Sequence, residues 1–165
     1  MYVRRTANQG RLKWYTETIQ FSRQRGMDNM IATDLDRVRA DFETSEFFRH
    51  LGLQITRLDE EDVELYLPYK QELDNVQSTV HGGVYMSVLD TMMGLKIRQL
   101  GFEAPVTIQM QTQFLKPLIG ESMTARAALI NQNRSTVLVE GKLYDQAGEL
   151  IGYATATFKV STTRK

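Results

Sequence analysis

The sequence predicts an α+β domain in which a curved antiparallel β-sheet wraps one long central α-helix. Three observations carry this. Residues 82–101, "GGVYMSVLDTMMGLKIRQLG", read as one helix that is apolar round most of its circumference. Such a helix is buried on several sides. Four strand-like runs follow it in succession, joined by short turn signals, and strands on tight turns build an antiparallel sheet. A sheet that must bury a helix on several sides has to curve round it.

The elements follow in chain order. Residues 1–46 are expected to form an N-terminal helical extension, and residues 47–165 the main domain. Within residues 1–26, Arg4, Arg5, Arg11, Lys13, Arg23 and Arg25 face the single acid Glu17. An Arg-rich, acid-poor start has the composition of an organelle transit peptide. Leu12, Tyr15 and Ile19, near helical spacing, favour the plainer reading of a helix. Asp34 is expected to cap a second helix with Leu35, Val38 and Phe42 as its apolar stripe. "SEFFRHLG" continues or restarts that helix, and Gly52 is placed to stop it.

Two short strands come next. In "DVELYLPY", Val63, Leu65 and Leu67 alternate with Glu64 and Tyr66. "KQELDN" is a polar loop before the long helix, which Gly101 closes. In "VTIQMQTQF", Val106, Ile108, Met110 and Phe114 are expected on one face and Thr107, Gln109, Gln111 and Gln113 on the other. "SMTARAALINQ" and "STVLVEGKLYD" pair across the turn "NQNR". "DQAG" then leads into "ELIGYATATFKV".

Composition excludes several classes of function. The chain has 165 residues, 20 Lys plus Arg against 20 Asp plus Glu, and no cysteine. The zero net charge points to neither nucleic acid nor an acidic surface. Without cysteine there are no disulfides, no cysteine–zinc sites and no thiol nucleophile. No apolar run reaches the roughly 18 residues of a membrane-spanning helix. A cytoplasmic location fits these features and is the expectation.

The chemistry-bearing residues cluster around the long helix. Gly82 and Gly83 open it, where the first N–H groups lack internal partners and carry the positive end of the dipole. Lacking Cβ atoms, they let a ligand approach the backbone closely. That is a ready place for a carbonyl oxygen that becomes negative during reaction; a tight strand-to-helix turn is the plainer use of two glycines. His81 precedes them. As a metal ligand it is weak, since no second His or Cys is spaced to help it, and no metal or other cofactor is expected. Asn75, at the end of the loop, is by itself an ordinary turn residue.

Asp90 is the most informative position. Its helical neighbours are Met86, Ser87, Met93 and Gly94, so a solvated face is not expected. A buried carboxylate is costly unless paired or used, and perturbed carboxylates cluster at functional sites. Eight residues separate Gly82 from Asp90. At 1.5 Å per residue that is about 12 Å along the axis, and far round the helix. One helix cannot bring both to one reacting atom. If both serve one site, Asp90 meets the helix start of a second copy, which a two-fold dimer achieves. Gly94 beside Asp90 would let the partner backbone come close.

Taken together, Asn75, then His81-Gly82-Gly83, then Asp90, followed by "VTIQMQTQFLKP" and "GYATATFKV", resembles the hotdog-fold acyl-CoA thioesterases of the phenylacetate-pathway (PaaI-like) type. The likeness covers roughly residues 47–160. It implies a hotdog fold and a homodimer or dimer of dimers with sites across the interface. It implies hydrolysis of acyl-CoA to a carboxylic acid and coenzyme A. Asp90 would act as general base or nucleophile. Gly82 N–H, helped by the dipole and by Gly83, would polarise the thioester carbonyl. His81 would position that loop, and Asn75 would orient the water or the carbonyl. Thr107 matches a Ser/Thr position near the carboxylate. Asn75 and Gly82 would come from one protomer, Asp90 and Thr107 from the other.

Coenzyme A phosphates call for basic groups, and Lys116 and Arg134 are the candidates. The alternative function is a non-catalytic acyl-CoA sensor of the same fold, its basic N-terminal segment reaching DNA. Residues 1–46 are short for a helix-turn-helix domain, and a nucleic-acid partner is not expected. A hotdog dehydratase is a third possibility, against which the HGG-x6-D pattern argues. Met86, Met92, Met93 and Met110 suggest a soft apolar pocket, although core packing is the commoner use of methionine.

Overall fold

The computed structural model describes residues 28–161, with side chains from Asp34 onward. The expectations for Leu12, Tyr15, Ile19 and the basic residues before them lie outside the described residues. The chain divides after Arg37 into two compact units, of which the second begins at Val38. Helix α1 covers Asp28–Glu43 and α2 covers Glu46–Leu51. Asp34 is not a cap: the helix begins six residues earlier, and Asp34 pairs with Arg37 at 2.8 Å within α1. Gly52 does stop α2. It sits at φ 81°, and its N–H reaches the carbonyls of Phe48 and Arg49. That left-handed conformation favours glycine.

The sheet has six antiparallel strands in the order β1-β2-β4-β5-β6-β3. They are β1 (Gln54–Leu58), β2 (Val63–Leu67), β3 (Glu103–Phe114), β4 (Met123–Gln132), β5 (Thr136–Tyr144) and β6 (Leu150–Ser161). β2 buries Val63, Leu65 and Leu67, as the alternation predicts. The long helix α3 covers Gly82–Gln99. It packs against five of the six strands, β2 through β6. The predicted helix-in-a-sheet architecture is therefore borne out.

Burial explains why these segments come together. Val88, Leu89, Met92, Met93, Leu95 and Ile97 of α3 are almost wholly buried. Each such side chain contributes about 1.5–3 kcal/mol over its exposed state. Met92 and Met93 are thus core, not pocket. Two strand glycines let the helix seat this deeply. A Cβ on Gly141 would lie 3.0 Å from Leu89 Cδ2, and one on Gly152 would lie 3.1 Å from Tyr85 Cδ1. At its far end, α3 is tied to the β1–β2 turn. Lys96 Nζ donates to Glu61 O at 3.3 Å, and Gln99 Nε2 donates to Asp59 O and Glu60 O.

β3 departs from the expected alternation. Thr107 pairs with Phe158, yet Gln109 already pairs with Thr157, so one extra residue bulges out between them. A bulge shifts the side-chain phase by one. Thr107 consequently shares the helix-facing side with Met110, not the side of Gln109, Gln111 and Gln113. Val106 and Ile108 stand 61% and 59% exposed on this edge strand.

Candidate active site

The start of α3 is organised by its own cap. His81 is the N-cap residue, with extended backbone, and its Nδ1 accepts a hydrogen bond from Gly83 N–H at 2.8 Å. An imidazole that accepts at Nδ1 is neutral and carries its proton on Nε2. The bond engages the Gly83 N–H, the donor that the resemblance assigns to the carbonyl beside Gly82. Gly82 N–H, the first of the helix, has no hydrogen-bond partner among the described residues. It keeps both its donor and its place at the positive end of the dipole.

The loop before the helix is built by Asn75. Its Oδ1 accepts from Gln77 N at 2.8 Å and Thr79 N at 3.3 Å, and its Nδ2 donates to Thr79 Oγ1 at 2.8 Å. These bonds hold Ser78 at φ 59°, a conformation uncommon for a residue with a Cβ. Within the chain, then, the Asn75 side chain is turned on its own loop, with one amide hydrogen to spare. His81 N donates to Leu73 O, and Val80 N to Leu118 O, so both flanks of the loop are fixed. Asp74, Asn75, Val76, Gln77, His81 and Gly82 line a cleft of about 570 Å³.

The segment after β3 frames the same helix start. The Phe114 ring lies 3.3 Å from where a Cβ on Gly82 would sit. Tyr85 stacks beside it, ring centroids 6.1 Å apart at 52°. The buried Tyr85 donates through its hydroxyl to Lys116 O at 3.1 Å, and burial pushes its phenol up to about 12. A Cβ on Gly82 would therefore need the Phe114 ring to give by a few tenths of an ångström. Sequence reading placed neither Phe114 nor Tyr85 at the site. The signal in the sequence is the "FLKP" run, whose aromatic residue alternation alone assigns to a strand face.

Asp90 lies two turns further along α3. Thr107 Oγ1 donates to its Oδ1 at 2.7 Å. The β3 bulge makes this bond possible, since strict alternation would aim Thr107 away from the helix. The carboxylate is only half-buried, contrary to the expectation of a covered face. Met86, one turn nearer the helix start, is 43% exposed, and a Cβ on Gly94 would meet nothing within 4 Å. Met86 and Asp90 share the part of α3 that the sheet leaves open, while Gly94 itself is buried.

The structure therefore sorts the predicted residues into two groups on one helix. Asn75, His81 and Gly82 line one cleft, while Asp90 and Thr107 bond to each other about 12 Å away along the axis. Lys116 and Arg134 join neither group. The Lys116 ammonium is paired with Glu149, whose hydrogen bond raises its affinity for the proton. Arg134 is exposed in the β4–β5 turn. No cluster of three or more potential metal ligands occurs among the described residues.

A single long helix inside a six-stranded antiparallel sheet defines the hotdog fold. Residues 77–151 match the model of the thioesterase superfamily, a segment that holds His81, Gly82, Asp90 and Thr107. The medium/long-chain acyl-CoA thioesterase YigI of Escherichia coli K12 is 27% identical over 132 residues, covering 69% of this chain and 84% of its own. A Shewanella oneidensis structure related to the thioesterase superfamily superposes with a TM-score of 0.72 at 28% identity, over 80% of this chain and 98% of that one. PaaI from the phenylacetic acid degradation operon of E. coli gives a TM-score of 0.70 at 21% identity, over 78% and 93%, and shows the shared fold. Residues 77–151 thus resemble the thioesterase superfamily, in keeping with the resemblance read from the motifs.

Proposed function

We propose that the protein hydrolyses acyl-CoA thioesters in active sites shared between two protomers. The observation that carries this is the division of α3: a Gly82 N–H with no partner among the described residues at its start, and a Thr107-held carboxylate two turns on. The thioester oxygen accepts from Gly82 N–H, and the dipole stabilises the charge that grows on it. The Asp90 oxygen not bonded to Thr107 then takes a proton from a water whose oxygen attacks the carbonyl carbon, or itself attacks that carbon and, once the thiolate has left, forms an anhydride that water hydrolyses. Collapse of the tetrahedral adduct breaks the C–S bond. The thiolate leaves as coenzyme A and picks up a proton, and the acid is released as carboxylate. His81 keeps the helix start in place through Gly83, and Asn75 shapes the cleft wall and offers its spare amide hydrogen.

The two groups meet if a second copy lies antiparallel along the open stripe of α3. The bare β3 edge supports this reading. A 12-residue edge strand carrying exposed Val106 and Ile108 is a template for pairing with another chain. The similarity to YigI, an acyl-CoA thioesterase, supports the substrate class. The test is thiol release from a panel of acyl-CoA esters, with Asp90→Asn as control. Turnover by the wild type that the variant lacks is the expected result. Equal, background-level release by both would remove the enzymatic reading.

A further inference from the structure

The placement of Phe114 is unusual for an aromatic residue. Its ring is pinned on two sides, by the Gly82 backbone and by the anchored Tyr85 ring, yet it remains 55% exposed. Large apolar rings gain from burial, so a rigidly backed ring left half bare is a surface prepared for something apolar. Leu115, next in the chain, is 50% exposed, and Met86, on the Gly82 face of α3, is 43% exposed. Phe114 and Met86 lie near the helix start where the thioester carbonyl is placed above.

We propose that Phe114 is the specificity-determining wall of the acyl site, selecting acyl groups with several carbons beyond the thioester carbonyl. This rests on the thioesterase reading. A carbonyl oxygen hydrogen-bonded to Gly82 N–H sits about 3 Å from that nitrogen. The ring, 3.3 Å from the missing Gly82 Cβ position, is then within van der Waals reach of the next few carbons of the chain. An acetyl group ends before it can use this surface; an octanoyl or phenylacetyl group lies along it. The contact is made equally in the ground state and the transition state, so it acts on KM more than on kcat.

The experiment measures kcat and KM of wild type, Phe114→Ala and Phe114→Leu on acetyl-, butanoyl-, octanoyl- and phenylacetyl-CoA, with the solution mass of each by light scattering. The expected result for Phe114→Ala is a fall of about tenfold in the ratio of octanoyl to acetyl kcat/KM, the scale of a lost apolar pocket contact. It is carried by KM, and Phe114→Leu lies in between. A ring that merely props up Gly82 would instead lower kcat by one factor on every ester, and that result overturns the proposal. So does a change in solution mass with unchanged ester ratios, which would make Phe114 an interface residue. A wild type that hydrolyses no ester removes the thioesterase reading and this inference with it.

Discussion

Thr107 holds one oxygen of Asp90 at 2.7 Å, which fixes the carboxylate plane and leaves the second oxygen for chemistry. Removing the carboxylate should therefore cost more than removing its holder. Asp90→Asn is expected to lower kcat by about 10² or more, the range of a lost general base, and Thr107→Val by about tenfold with KM little changed. Steady-state thiol release checks both. His81 has a separable role. His81→Ala forfeits the cap on Gly83 N–H and should cost about 1 kcal/mol in urea unfolding, whereas His81→Asn should keep most of it. Asp90 and His81-Gly82-Gly83 were legible in the sequence because each is a poor choice for a plain apolar helix. The partner of Asp90 was legible only by resemblance. The bulge at Ile108 that turns Thr107 inward is a register property of β3 against β6, and one strand read alone does not show it. Nor does spacing reveal that His81 spends the Gly83 N–H.

At the scale of elements, α3 and the strands beneath it were plain from periodicity. The apolar run of the helix and the alternation of β2 are local patterns, and both survive in the structure. Asp34 was misplaced because a capping residue type is also an ordinary residue of an exposed helix turn. The exposure of Val106 and Ile108 was not legible either, since apolar alternation says which residues share a face and not what covers it. The depth of the helix rests on Gly141. Leu89 and Met93 are fully buried and have little room to give. Gly141→Ala should thus destabilise by about 1–3 kcal/mol, as overpacked cores do, measured by the urea midpoint. Tyr85 gives the helix start a pH signature. Burial raises its folded pKa from the ordinary 10 to about 12. Its contribution to stability is complete below about pH 10, falls as pH rises through about 12, and changes no further beyond. The wild type should show this loss in alkaline unfolding curves, and Tyr85→Phe should lack it.

For the whole molecule, the geometry of one helix sets the question. About 12 Å of axis separates Gly82 from Asp90, so a chain working alone could use either half-site but not both. Mixing two inactive variants tests this directly. Gly82→Pro removes the N–H at the first helical position, where proline's fixed φ suits the helix and the half-exposed Phe114 ring can yield the few tenths of an ångström its Cβ needs, and Asp90→Asn removes the carboxylate. If sites are shared, a mixed pair has one site with intact Gly82 from one chain and intact Asp90 from the other, and one site with neither. After subunit exchange at equal concentrations, half the pairs are mixed and about a quarter of all sites are whole. Thiol release from a matching acyl-CoA should then recover to about a quarter of wild type. Activity of the mixture no greater than the average of the two parents, with exchange verified by mass, would contradict the shared site.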